Sequence, residues 1–201
     1  MITPKPMSGA LGAEIEGIDL TLPLSIHDYK KIRNLLIEHE VIFFRNQDIS
    51  PAQQKELAGS FGPLQTHPAY ETVEGFPEIT ILESTEKKPT KIEAWHSDMT
   101  FRLHPPLGSL LRSKIIPDRG GDTLWASATT AYDALSVSMQ QFLDGLVAVH
   151  DFRHGFKESL AEEGGPERLA QAIKDNPPVE HPVIQTHPES GKKVIFVNSL
   201  L

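Results

Sequence analysis

The sequence predicts a mainly β protein with added helices, a jelly roll or barrel rather than a βαβ sheet. Three observations carry that expectation. Apolar runs are short and numerous, and Gly and Pro break them at close intervals. Helical spacing of apolar residues is confined to segments near the start and to a few later insertions. No regular alternation of strand and helix, as parallel crossovers require, runs through the chain.

Taken in order, GALGAEIEGIDL (residues 9–20) spaces Leu11, Ile15, Ile18 and Leu20 among glycines and acids, which reads as short strands and turns. Ser25 followed by Asp28 is a capping-box pattern, and Tyr29, Ile32, Leu35 and Leu36 then recur at helical spacing. A helix over 26–39 is expected. Val41-Ile42-Phe43-Phe44 reads as a buried strand, and 45–48 as the turn out of it. Ser50-Pro51 opens a second helix, with Ser at the cap and Pro at its first position, running to a stop at Gly62.

Residues 62–78 are expected as loop, 79–82 as strand and 83–91 as a polar connection that could act as a lid. Strands are expected up to Phe101, over 107–116 and over 122–126, with the Asp118–Gly121 turn between the last two. Helices follow at 131–135 and 139–146, the second capped by Ser136 or Ser138. A strand over 146–152, a loop over 153–161, a helix over 167–174 and a hairpin of 181–186 with 193–198 complete the order.

Composition narrows the function classes. The 201 residues are 39% hydrophobic and 23% charged, which describes a soluble globular domain. A net charge of -8 argues against nucleic acid or an anionic membrane as partner. With no cysteine, disulfides, Cys-zinc sites and iron–sulfur clusters are excluded. The first residues carry no apolar signal-peptide core, and no apolar run reaches the length of a membrane span. A cytoplasmic location is the expectation, and assembly with further copies of the chain is left open.

The segment with the most chemistry is Trp95-His96-Ser97-Asp98. On an extended segment, residues two apart point to one face, so His96 and Asp98 aim together. A nitrogen and a carboxylate oxygen so placed are two members of a two-His-one-carboxylate triad, which binds non-haem iron and leaves positions open. By itself the tripeptide reads first as a His and an Asp on a solvated strand face. A cupin-like zinc or manganese site would gather more histidines than this.

Several segments in fixed order raise the metal reading. GALGAEIEGIDL, HEVIFFRNQDIS, FGPLQTHPAYE, AWHSDMTF, PPLGSLLRSKIIPDRGGDTLWAS, AYDALS, HDFR and HPVIQTHPESGKKVIFVN together resemble the taurine dioxygenase (TauD/TfdA) family of Fe(II)/2-oxoglutarate-dependent dioxygenases. The resemblance implies one domain over 1–201 and a double-stranded β-helix with the metal at its mouth. It implies that His96 and Asp98 are Fe(II) ligands and that the Thr123 hydroxyl helps bind the 2-oxoglutarate carboxylate. It places His67 and Tyr70 in a sulfonate pocket, with Met99, Phe101 and Phe156 as apolar walls. The implied reaction consumes dioxygen and 2-oxoglutarate, hydroxylates a small sulfonate such as taurine and releases sulfite, succinate and CO2.

The chain also departs from the family pattern. The family's third ligand, a distal His, and its two anion-binding arginines lie beyond the equivalent of residue 201. The chain is therefore expected to be the N-terminal portion of such a domain, without the later strands of the jelly roll. His104, His150, His154, His181 and His187 are not expected to replace the missing ligand. Little or no turnover is expected of this chain by itself, and a non-catalytic remnant is the alternative reading. Taurine-specific members tend to carry Asn at the position of Ile92, which leaves other sulfonates, alkyl sulfates and carboxylates open as substrates.

Overall fold

A computed structural model describes residues 1–87 and 94–200. The chain divides into two compact units. The first comprises Met1–Pro63, Ser109–Leu135 and Thr186–Val194; the second comprises Leu64–Gly108, Ser136–Gln185 and Ile195–Leu201.

In the first unit, β1 (Thr3–Pro6) pairs antiparallel with β2 (Ala13–Glu16), and β2 pairs parallel with β3 (Ile42–Phe43). Helix α1 (Ile26–His39) starts where Ser25 and Asp28 cap each other, the Asp28 N–H donating to Ser25 Oγ and the Ser25 N–H to Asp28 Oδ2. Two of the helix's otherwise unpaired end groups are thereby satisfied. The helix buries Ile32 and Leu35. Leu35 joins Ile2, Ala13 and Ile15 over the sheet, while Ile32 joins Leu20, Ile49 and Leu57. Helix α2 (Pro51–Gly59) repeats the device with Ser50 and Gln53 and contributes Leu57. It ends at Gly59, a turn earlier than expected. Helix α3 (Ala128–Asp133) is capped by Ser127, whose Oγ accepts from the Thr130 N–H at 2.9 Å.

The second unit contains the hairpin β4 (Thr72–Val73) and β5 (Phe76–Thr80), then helix α4 (Val137–Leu143), capped by Ser136. Strand β6 (Val147–His150) pairs antiparallel with β7 (Val179–Pro182). Between them lie α5 (Phe152–Gly155), α6 (Lys157–Ala161) and α7 (Gly165–Asp175). The core of this unit is Phe101, Phe152, Leu169 and Ala172. The last pair of strands is β8 (Ile184–Thr186) with β9 (Lys193–Ile195).

Among the described residues, regular structure is a mixture of helices and four small sheets rather than mainly β. Much of the difference lies in three expected strands. Residues 94–101, 107–116 and 122–126 form no ladder. Apolar alternation allows a strand, but only a neighbour's N–H and C=O groups make one, and none pairs with these stretches among the described residues. The expected loop at 153–161 instead holds α5 and α6. Its unrecognised signal was Asp151, whose carboxylate caps α5 at the Arg153 N–H, 2.9 Å away. Among the described residues no helix is long and apolar enough to cross a membrane. Residues 88–91 of the expected lid, and Ile92, lie outside the described residues.

Candidate metal centre

His96 and Asp98 sit on an irregular segment that enters a turn at residues 98–101. They need no strand to aim together: His96 Nε2 lies 3.1 Å from Asp98 Oδ1. The other ring nitrogen, Nδ1, is 2.8 Å from the carbonyl oxygen of Ala94. A carbonyl only accepts, so Nδ1 carries the proton and donates it there. A ring protonated at Nδ1 alone points its Nε2 lone pair at the carboxylate oxygen, two acceptors facing each other. A cation between them resolves that contact. Two donors about 2.1 Å from one octahedral ion stand about 3.0 Å apart when cis, so the pair fits two adjacent ligand positions. A backbone carbonyl that orients a ligating His is a recurrent support for such sites. Both side chains stay accessible, His96 at 24% and Asp98 at 66%. Among the described residues no group of three or more His, Cys, Asp or Glu could hold a metal.

The turn after Asp98 is firmly held. The Arg102 N–H donates to the Met99 carbonyl at 3.0 Å, and Met99 itself adopts φ 55, a left-handed conformation that costs a side chain energy. The reversal leaves Asp98 outside and sends Thr100 and Phe101 inside. Phe101 is 1% exposed and meets Phe152 edge-to-face, with centroids 5.1 Å apart. Met99 packs against the same cluster. The Thr100 hydroxyl lies 2.8 Å from Nδ1 of His150, itself 1% exposed, and accepts from Asn198 Nδ2 at 3.4 Å. Burial, and then the neighbouring His181, push the His150 pKa down. His181 Nε2 donates to the Arg102 carbonyl at 3.0 Å.

Beside this turn in the second unit is a cluster of rings. His67 lies 4.5 Å from Tyr70 and 5.8 Å from Phe156 between centroids, and Tyr70 and Phe156 are 6.1 Å apart. Desolvation, and then the Arg102 charge, push the His67 pKa down to about 4, against a smaller upward pull from Asp98. Burial and the Asp98 carboxylate raise the Tyr70 pKa. His67 is therefore a neutral imidazole and Tyr70 a protonated phenol at neutral pH, both within the field of Asp98. The Ala69 N–H donates to His67 Nδ1 at 3.2 Å, which leaves the ring proton on Nε2. That N–H has no partner among the described residues.

Of the residues expected at the site, the second unit contains His67, Tyr70, His96, Asp98, Met99, Phe101 and Phe156. Thr123 belongs to the first unit, exposed in the irregular stretch before α3. The remaining histidines have other employment. His150 and His181 brace the turn, His154 Nε2 lies 3.2 Å from the Ser199 carbonyl, and His187 Nδ1 accepts from the Glu189 and Ser190 N–H groups. His104 is exposed beyond the turn. Sequence reasoning missed the supports: the Ala94 carbonyl, Thr100, Arg102 and the bracing role of His150. The contact from His150 to Thr100 spans 50 positions, and no local pattern announces it.

The profile of the "Taurine catabolism dioxygenase TauD, TfdA family" matches residues 3–200. An alkylsulfatase of Acinetobacter baylyi is 37% identical over 197 residues, which is 96% of this chain and 62% of that protein. An alpha-ketoglutarate-dependent sulfate ester dioxygenase of Pseudomonas putida is 33% identical, covering 94% of this chain and 64% of that one. A crystal structure of a taurine dioxygenase from Burkholderia xenovorans superposes with a TM-score of 0.78 at 35% identity, covering 98% of this chain and 63% of that chain. The chain thus spans less than two thirds of the length of these relatives. The chain belongs to the TauD/TfdA family.

Proposed function

We propose that this chain carries the Fe(II)-binding pair and the substrate face of a 2-oxoglutarate-dependent dioxygenase acting on a small sulfonate or sulfate ester. The observation that carries the reading is the His96–Asp98 pair, oriented by Ala94 and set 3.1 Å apart. In this reading the strands belong to a double-stranded β-helix. His96 Nε2 and Asp98 Oδ1 hold the metal, and the Thr123 hydroxyl grips a carboxylate of 2-oxoglutarate. The bound iron, with 2-oxoglutarate and dioxygen, supplies the oxidation of an unactivated C–H bond.

The protein's own part is grip and exclusion of water. His67 Nε2–H and the Tyr70 hydroxyl donate to the oxygens of a sulfonate or sulfate group. Phe156 and Met99 bound the apolar part of the substrate, with Phe101 packed beneath. A neutral donor suits this place, because burial disfavours an imidazolium there. Hydroxylation of the carbon that bears the sulfur group gives an unstable product. It collapses to an aldehyde with release of sulfite from a sulfonate, or sulfate from an ester, while 2-oxoglutarate ends as succinate and CO2. Relatives named for sulfate esters stand beside one named for taurine, so the leaving anion is the open choice.

The second reading is a non-catalytic module, favoured by the two-donor set among the described residues. One preparation separates the two. Mn(II) binding is followed by electron paramagnetic resonance, and succinate release is measured with Fe(II), ascorbate and either taurine or an alkyl sulfate. The dioxygenase reading expects Mn(II) binding that is lost in His96→Ala and Asp98→Ala, and succinate release that falls with it once the chain is completed with the C-terminal third of a relative. Mn(II) binding without succinate supports the non-catalytic module. Metal binding that survives both substitutions overturns the assignment of the pair.

A further inference from the structure

Arg102 makes contacts in three directions. Its N–H closes the turn that follows Asp98, at 3.0 Å from the Met99 carbonyl. Its carbonyl accepts from His181 Nε2 at 3.0 Å. Its guanidinium reaches 37 positions back along the chain, where Nη1 donates to Gln65 Oε1 at 2.7 Å and Nη2 to the Thr66 carbonyl at 2.9 Å. Those two acceptors immediately precede His67. The planar fork meets both at once, which the single point of a lysine ammonium does not do. Arg102 Nε is buried without a partner among the described residues. The clamp therefore accepts a desolvation cost of one donor to keep this geometry.

We propose that Arg102 is a positioning residue that sets the His67–Tyr70 face against the turn carrying Asp98, by clamping Gln65 and Thr66 to that turn. The inference rests on the proposed function for its meaning, since it states how the substrate grip and the metal pair keep one spacing. It stands physically on the three sets of hydrogen bonds alone. The clamp holds the loop so that the Ala69 N–H meets His67 Nδ1, and the His67 proton stays on Nε2, facing outward as a donor. Without the clamp the loop 65–69 loses its two hydrogen bonds to the turn, and the ring is free to exchange tautomers.

The test reads the His67 ring by nitrogen-15 NMR at pH 7 in the whole chain, with no metal, 2-oxoglutarate or substrate present. In the parent chain a single tautomer is expected, with Nδ1 bare and Nε2 protonated. In Arg102→Gln the two nitrogen shifts move toward each other, and exchange of the Ala69 amide speeds up by about tenfold. The amides of α7 keep their protection, which reports an intact fold. Arg102→Lys restores neither signal fully. Gln65→Ala, which leaves every Arg102 backbone bond in place, gives a smaller change in the same direction and stands in if Arg102→Gln does not fold. An unchanged His67 signature in a folded Arg102→Gln chain overturns the proposal, as does full rescue by Lys. Because the signature is read without turnover, a failed dioxygenase assay leaves this result standing, and the reverse holds as well.

Discussion

The turn at 98–102 and the stretch 109–126 are both irregular, yet one is anchored and the other open. In the turn, Phe101 and Thr100 enter a core, and the polar groups of Thr100 and, Nε apart, of Arg102 are bonded by His150, Asn198, His181, Gln65 and Thr66. In the stretch, anchors are few. Gln54 Nε2 donates to the Leu110 carbonyl at 3.3 Å, Arg112 meets Asp48, and Trp125 touches Phe43 at 6.4 Å. Between them Leu111, Ile115, Ile116 and Leu124 stand exposed, Ile115 at 92%. Irregular backbone is made definite by its side chains, through buried apolar contacts and satisfied polar groups, not by its own ladder. The proposed metal pair is borne by the anchored kind.

The contrast is open to direct attack. Phe101→Ala is expected to cost about 3–5 kcal/mol, because a fully buried ring leaves a cavity against Phe152. Urea unfolding of the purified chain measures it, and a cost below about 1 kcal/mol would mean that the turn is not seated in a core. A pH series sharpens the same difference. His67 has a folded pKa of about 4, below its ordinary 6.5, and His150 is shifted in the same direction. Between those values the unfolded chain binds the proton and the folded chain does not. Stability is therefore unaffected above about pH 6.5 and falls as pH drops toward 4, by about 2 kcal/mol for His67 once the full-shift figure of about 3 kcal/mol is discounted for solvent screening of a partly exposed ring. His67→Gln should flatten that part of the profile. The stretch 109–126 contains no histidine and contributes no such slope.

Thr100→Val keeps the shape and removes the hydroxyl, leaving His150 Nδ1 without its partner at 2.8 Å. A loss of about 1–2 kcal/mol is expected, together with weaker Mn(II) binding, because the hydroxyl braces the residues beside Asp98. Stability lost with metal binding unchanged would separate the brace from the site. Ile115→Ala sits at the other end, with an expected change within about 0.5 kcal/mol. A larger loss would show that the open stretch is covered in solution.

Much of the helical structure was legible locally. Ser25 with Asp28, and Ser50-Pro51 with Gln53, satisfy the first N–H groups of α1 and α2 from within three residues, so a short window contains the whole cause. Asp151 capped α5 by the same chemistry and went unnoticed because β6 runs up to it. The strands were less legible. Their apolar alternation is a permission that a distant partner must complete, and at 107–116 and 122–126 the permission was not taken up.

The donor types of the site belong to the sequence alone: His96 and Asp98 two residues apart, and the His67–Tyr70 cluster of HPAY. Their usefulness was decided by tertiary structure. His96 turns Nε2 toward Asp98 while its Nδ1–H donates to the Ala94 carbonyl. His67 stays neutral because folding buries it and brings the Arg102 charge near. These causes act through space, across 37 positions from Arg102 to Gln65 and 50 from His150 to Thr100. Residue identity sets which atoms can bind and donate, while packing sets which of them are aimed, charged and dry.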